Sequence, residues 1–84
     1  MTIAEQLLHW LKSHPASYLE EQIGDATRLL VHKTLDGTVL QQLPMSVDVI
    51  STLIEMNWEG VIERHAAPSL DGLHTYNLPG GSDG

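Results

Sequence analysis

Apolar residues recur at helical spacing near both ends of this chain, and at strand spacing between. Ile3, Leu7, Leu8 and Leu11 fall on one helical stripe, flanked by Ala4 and Trp10. Ahead of it, Thr2 and Glu5 have the spacing of a capping box, in which hydroxyl and carboxylate each satisfy a free N–H at the helix start. His14-Pro15 ends the run, because proline disfavours helical geometry in the residue before it. The pattern predicts a helix over 2–13. Further on, Val47, Ile50, Ile54 and Trp58 lie along a second stripe, which Val49, Leu53 and Met56 widen. Ser46 is the natural N-cap, Asp48 suits the positive end of the helix, and Asn57 and Gly60 bracket the exit. A helix over 46–57 is expected.

Between the helices the period shortens. Residues 16–24 fit either state: Leu19, Ile23 and Ala26 lie on a helical face, yet Tyr18–Ile23 also alternates as a strand. Strand is favoured because the next run, Thr27–Thr34, needs a pairing partner on each side. Gly24-Asp25 then serves as the reversal between them. Asp36-Gly37 sits between two β-prone runs and predicts a hairpin through a type I′ turn, with Thr38–Leu43 as the return strand. After the second helix, Gly60–His65 and Leu73–Leu78 read as two more strands joined by the loop Ala66–Gly72, whose Asp71-Gly72 is turn chemistry. The expected fold class is α+β: N-terminal helix, β-hairpin or meander, second helix and C-terminal hairpin. Residues 1–78 form one domain on this reading, and 79–84 a flexible tail. Leu7, Leu11, Leu30, Ile50, Leu53, Ile54 and Ile62 are the expected core.

The stretch Leu53-Ile-Glu-Met-Asn-Trp-Glu-Gly-Val-Ile-Glu-Arg-His65, a helix end running straight into a strand, resembles the winged-helix family, best over Ser46–Leu78. The resemblance implies a small winged-helix-like domain whose helix from Ser46 to Asn57 enters a DNA major groove. The loop Ala66–Gly72 would touch the nucleic-acid backbone as a wing. On those positions this chain offers Ser46, Asp48, Ser51, Thr52 and Glu55 on the helix, with Arg64, His65 and His74 on the wing. The helix carries no Lys or Arg. Between residues 17 and 43, strands stand where the family's helix-turn-helix pair is expected.

Composition bears on that implication. Eleven Asp and Glu against four Lys and Arg give a formal net charge of −7 over 84 residues. Phosphate neutralisation supplies most non-specific nucleic-acid affinity, and Lys12, Arg28, Lys33 and Arg64 are scattered along the sequence. DNA is therefore an unfavoured partner. An acidic domain favours a protein with a basic or apolar surface, or a second copy of itself. There is no Cys, so disulfides and thiolate metal sites are excluded. No apolar run approaches the roughly 20 residues of a membrane span, and residues 1–5 lack a secretory pattern. A soluble, cytoplasmic protein away from membranes is expected.

The chemistry-bearing residues are few. Five His invite a metal reading, of which His65 and His74 are the best pair. Pairing about the loop centre would set them opposite each other at roughly 5 Å between Cβ atoms, near Glu63 and Asp71. A structural zinc site wants four ligands, and ordinary surface histidines are the plainer reading. Glu20-Glu21 are adjacent, so on a strand they face opposite ways and read as solvated charge. Nucleophile elbow, phosphate loop and zinc-protease motif are all missing from the sequence. The expectation is a non-enzyme without cofactor or metal: an acidic regulatory module that docks on a partner protein. An inhibitory variant of this reading has its carboxylates mimic nucleic-acid phosphates, and the rival is a winged-helix DNA-binding transcriptional regulator. The expected partner surface comprises Asp48, Ser51, Glu55, Trp58, Glu59, Glu63, Arg64 and Tyr76. Trp58 and Tyr76 are its candidate anchors, although a core role for each Trp is the default.

Overall fold

A computed structural model describes residues 1–67 and 72–79. Its elements run α1 (Ile3–Ser13), β1 (Ser17–Gly24), β2 (Thr27–Thr34), β3 (Val39–Pro44), α2 (Val47–Trp58), β4 (Glu63–Ala66) and β5 (His74–Asn77). The fold is a small α+β domain of the expected element order. Both caps form: Thr2 and Glu5 close a capping box, and the Ser46 hydroxyl accepts from the Val49 N–H at 3.2 Å. The tail beyond Pro79 and loop residues 68–71, Asp71 included, lie outside the described residues.

The five strands form one antiparallel sheet in the order β3-β2-β1-β5-β4. Residues 17–24 are a strand, and β2 has a partner on either side, β1 and β3. β1 also accepts β5 on its other edge, Leu19 facing Tyr76, so the C-terminal hairpin is part of the main sheet. Leu19, Leu30 and Tyr76 share one sheet face, and against it pack Leu7, Trp10 and Leu11 of α1 and Val49, Leu53 and Met56 of α2. Ile62 closes this core from the connection before β4. The opposite face holds Glu20, Val31 and Lys33, and among the described residues no helix covers it.

The turns of the first two hairpins differ from expectation. Asp25 and Ala26, not Gly24-Asp25, form the first reversal, since Gly24 still pairs with Thr27. Ala26 adopts a φ of 63°, left-handed backbone that disfavours any residue with a Cβ. At the second, Thr34 N–H bonds to the Thr38 carbonyl at 2.9 Å, which makes Leu35-Asp36-Gly37 a three-residue loop. Only Gly37 of the Asp36-Gly37 pair has positive φ, at 94°, as in a turn followed by a glycine bulge rather than a type I′ turn. The Asp36 carboxylate accepts from the Thr34 hydroxyl and from the Thr38 N–H and hydroxyl. These bonds hold its pKa below the usual carboxylate range.

The core expectation holds for Leu7, Leu11, Leu30, Leu53 and Ile62, each at most 1 % exposed, and fails for Ile54, which is 56 % exposed. Ile50 is only half-buried, outside the core cluster. The reason is the rotation of α2. Its stripe through Val47, Ile54 and Trp58 points away from the sheet, and Val49, Leu53 and Met56, which widen that stripe in the sequence, are the ones that pack. Trp10 is a core residue, whereas Trp58, by default assigned there too, is 88 % exposed.

Candidate functional site

Helical geometry sets residues three or four apart above one another on one face. On α2, Val47, Ser51, Ile54 and Trp58 therefore form a continuous outward strip opposite the buried Val49, Leu53 and Met56. Val47 is 77 % exposed, so with Ile54 and Trp58 three large apolar side chains lie in water on one helix. Asp48, Glu55 and Glu59 follow the strip on one flank, all exposed. Of the expected partner residues, the structure thus brings Asp48, Ser51, Glu55, Trp58 and Glu59 onto one surface. No helix among the described residues is long and apolar enough to cross a membrane.

The remaining expected residues go elsewhere. Tyr76 is 3 % exposed, its hydroxyl donating to Glu21 Oε2 at 2.6 Å, so it is a core group and not a surface anchor. Burial pushes its phenol pKa far up, and the Glu21 bond adds to this against a smaller opposing effect from Arg64. Glu63 and Arg64 are consecutive on β4 and face opposite sides of the sheet. Glu63 shares the uncovered side with His65, 3.5 Å from its Nε2. Arg64 is on the α2 side, beside Tyr76.

Arg64 lines the same opening as a second arginine. A cleft of about 170 Å³ opens between α2 and the sheet, with Arg28, Arg64 and His74 at its polar side and Glu21 and Tyr76 below. Met45, Ile50 and Ile54 form its apolar wall. Although Lys12, Arg28, Lys33 and Arg64 are scattered in sequence, folding gathers two of the four around this opening. The Glu21 side chain is 5 % exposed yet well satisfied. Besides Tyr76, it accepts from the His74 N–H at 3.1 Å, and Arg28 and His74 Nδ1 each approach at 3.5 Å. Glu20 is buried too, on the other face, where Gln22 and Lys33 donate to Oε1 at 2.8 and 3.1 Å. Burial pushes its pKa up, but those bonds outweigh it and hold the carboxyl below its ordinary value. The glutamates do face opposite ways; neither is simply solvated.

His65 and His74 are not opposite each other. His65 pairs with Thr75 and His74 with Ala66, a one-residue offset that puts the imidazoles on different faces of the sheet. Among the described residues, no three His, Asp or Glu side chains gather into a group able to hold a metal ion.

The most enclosed histidine is His32, fully buried and stacked on Trp10 at 5.7 Å between ring centroids. Ser17 donates its hydroxyl proton to the His14 carbonyl, so it accepts from His32 Nε2 at 2.8 Å. Gln41 then donates to Nδ1 at 2.9 Å, which assigns a neutral imidazole. Burial, and secondarily the nearby His14, hold the His32 pKa below its ordinary value of 6.5. A serine beside a histidine has the composition of a nucleophile and its base. Here the hydroxyl donates away from the ring and no carboxylate orients it, so the arrangement is a satisfied core network.

Comparison with known protein families, curated proteins and solved structures finds no match to this chain.

Proposed function

We propose that this domain is a non-catalytic interaction module that docks through the outward face of α2 on a protein with an apolar groove and basic residues along one rim. The observation that carries the reading is Trp58 at 88 % exposure, in line with exposed Ile54 and Val47. An exposed apolar stripe has no role in the domain's own stability, and large aromatics are the usual anchors of protein interfaces. Asp48, Glu55 and Glu59 on one flank supply the charge that a basic rim would meet, adding steering and orientation more than affinity. The winged-helix resemblance would turn the same helix towards DNA. Against that reading stand the carboxylates beside the strip and the absence of any Lys or Arg on α2.

The test is capture from native lysate with the intact chain, run beside Trp58→Ala and the double variant Asp48→Lys, Glu55→Lys. A partner held by the parent, released by Trp58→Ala and weakened by the charge reversal is the expected result. All three proteins should melt at about the same temperature. Equal capture by parent and Trp58→Ala would show that the α2 strip is not the interface. Concentration-dependent sedimentation of the parent, lost in Trp58→Ala, would identify the partner as a second copy.

A further inference from the structure

The cleft beside α2 has a charge imbalance that the fold's own contacts, Arg28 to Glu21 and Arg64 to the Tyr76 hydroxyl, only partly use. Two guanidinium groups and one carboxylate line it, with His74 at the rim. Glu21 spends its acceptor capacity on Tyr76 and the His74 N–H at short range, and touches Arg28 only at 3.5 Å. Arg28 itself is 49 % exposed. A guanidinium offers five N–H donors in a planar fork, so most of the donor capacity of Arg28 is uncommitted to Glu21. In a chain of net charge −7, this is where positive charge is in local excess.

From this geometry we infer that the cleft is a subsite for a single carboxylate, the acidic side chain of the protein that docks on α2. The inference rests on the docking reading above and adds the other half of its charge pattern. Ile50 and Ile54 are on the flank of α2 away from Asp48, Glu55 and Glu59, so the outward strip has carboxylates along one side and the arginine cleft along the other. A partner fitted to it presents basic residues on one edge and one Asp or Glu on the opposite edge. Size and charge select the ligand class. About 170 Å³ holds one small acid group with its stem against Met45 and Ile54, well below the roughly 300 Å³ or more of a typical small-molecule site. Two guanidinium groups against the one Glu21 carboxylate leave one excess positive charge, which a monoanion balances. A phosphate group brings about −1.5 to −2 and would overshoot it beside buried Glu21.

The probe is sodium acetate, titrated at neutral pH into the ¹⁵N-labelled intact chain at constant ionic strength against chloride, with sodium phosphate in a parallel arm. Saturable shifts at the amides of Arg28, Arg64, Gly72 and His74 are expected, with phosphate binding no more tightly. R64Q should weaken acetate binding about tenfold, the scale of one charge-assisted hydrogen bond. It leaves every hydrogen bond to Glu21 in place, so its fold should be retained even where R28Q fails. Shifts that do not saturate, or that survive R64Q unchanged, would overturn the subsite. Preference for phosphate would overturn its assignment to an acidic side chain. Acetate failing while capture still depends on Trp58 would remove the cleft alone; the converse would remove the docking reading and leave the cleft standing.

Discussion

α1 and α2 are of nearly equal length, 11 and 12 residues, and both begin at a hydroxyl cap, yet they use their apolar residues differently. α1 turns Leu7, Trp10 and Leu11 into the core, its exposed residues from Glu5 to Ser13 being polar. α2 has two apolar faces. One, through Val49, Leu53 and Met56, holds the domain together; the other, through Val47, Ile54 and Trp58, lies exposed. A helix needs one apolar face to fold. The second is surplus to folding, and it is the face on which we propose that a partner docks.

The tryptophans give the widest test of that comparison. Trp10→Ala should cost about 3–5 kcal/mol by leaving a cavity against His32, while Trp58→Ala should stay within about 0.5 kcal/mol. Urea unfolding of the two variants checks both, and comparable losses would erase the distinction between the helices. Within α2, Leu53→Ala should destabilise by roughly 2–5 kcal/mol and its neighbour Ile54→Ala by at most about 0.5 kcal/mol. Equal midpoints for that adjacent pair would mean the helix is rotated from its position here.

The α1 side should also carry the pH dependence nearest neutrality. His32 has its pKa lowered by folding, so below about 6.5 the unfolded chain binds the proton more readily than the native state. Stability is therefore full above that value and falls as the pH drops towards the folded pKa. In His32→Gln this decline between neutrality and pH 5 should flatten, read from melting temperature against pH. Glu20 adds a second loss at lower pH, because its native pKa lies below the ordinary 4.5 and its stabilisation disappears as it protonates. The smallest effect belongs to the turn at Ala26. Replacement by Gly should relieve left-handed strain and stabilise by up to about 1 kcal/mol, part of the gain being offset by the freer unfolded chain. Unchanged or lower stability would show that the turn is not strained.

The period of apolar residues made the element order legible, and Thr2, Ser46 and Gly60 marked real boundaries. What periodicity does not contain is which of two apolar stripes on α2 faces inwards. Both are helical, and only the position of the sheet decides. The turns slipped for a related reason: Asp-Gly chemistry permits several hairpin loops, and strand register chooses among them. For the site, the acidic row Asp48, Glu55 and Glu59 could be read directly. The cleft could not. Arg28 and Arg64 stand 36 positions apart, and they converge only because β5 is placed between β1 and β4. The same placement decides the fate of Tyr76 and of the His65–His74 pair, each altered by a register that no local pattern specifies.

That placement also orders the events of folding. β1, β2 and β3 form a meander of neighbours in sequence, whose contacts close short loops and can assemble early. β1, however, has its second edge open until β5 arrives, and the Glu21–Tyr76 bond closes a separation of 55 residues. On a ribosome delivering about 5–20 residues per second, the meander therefore emerges with an unpaired strand and a buried-to-be carboxylate still in water. An unpaired edge invites pairing with another chain, and Glu21, midway along β1, is a charge that a foreign strand would have to bury without Tyr76. Until β5 pairs, the Glu21 carboxylate would therefore disfavour any other chain at that edge.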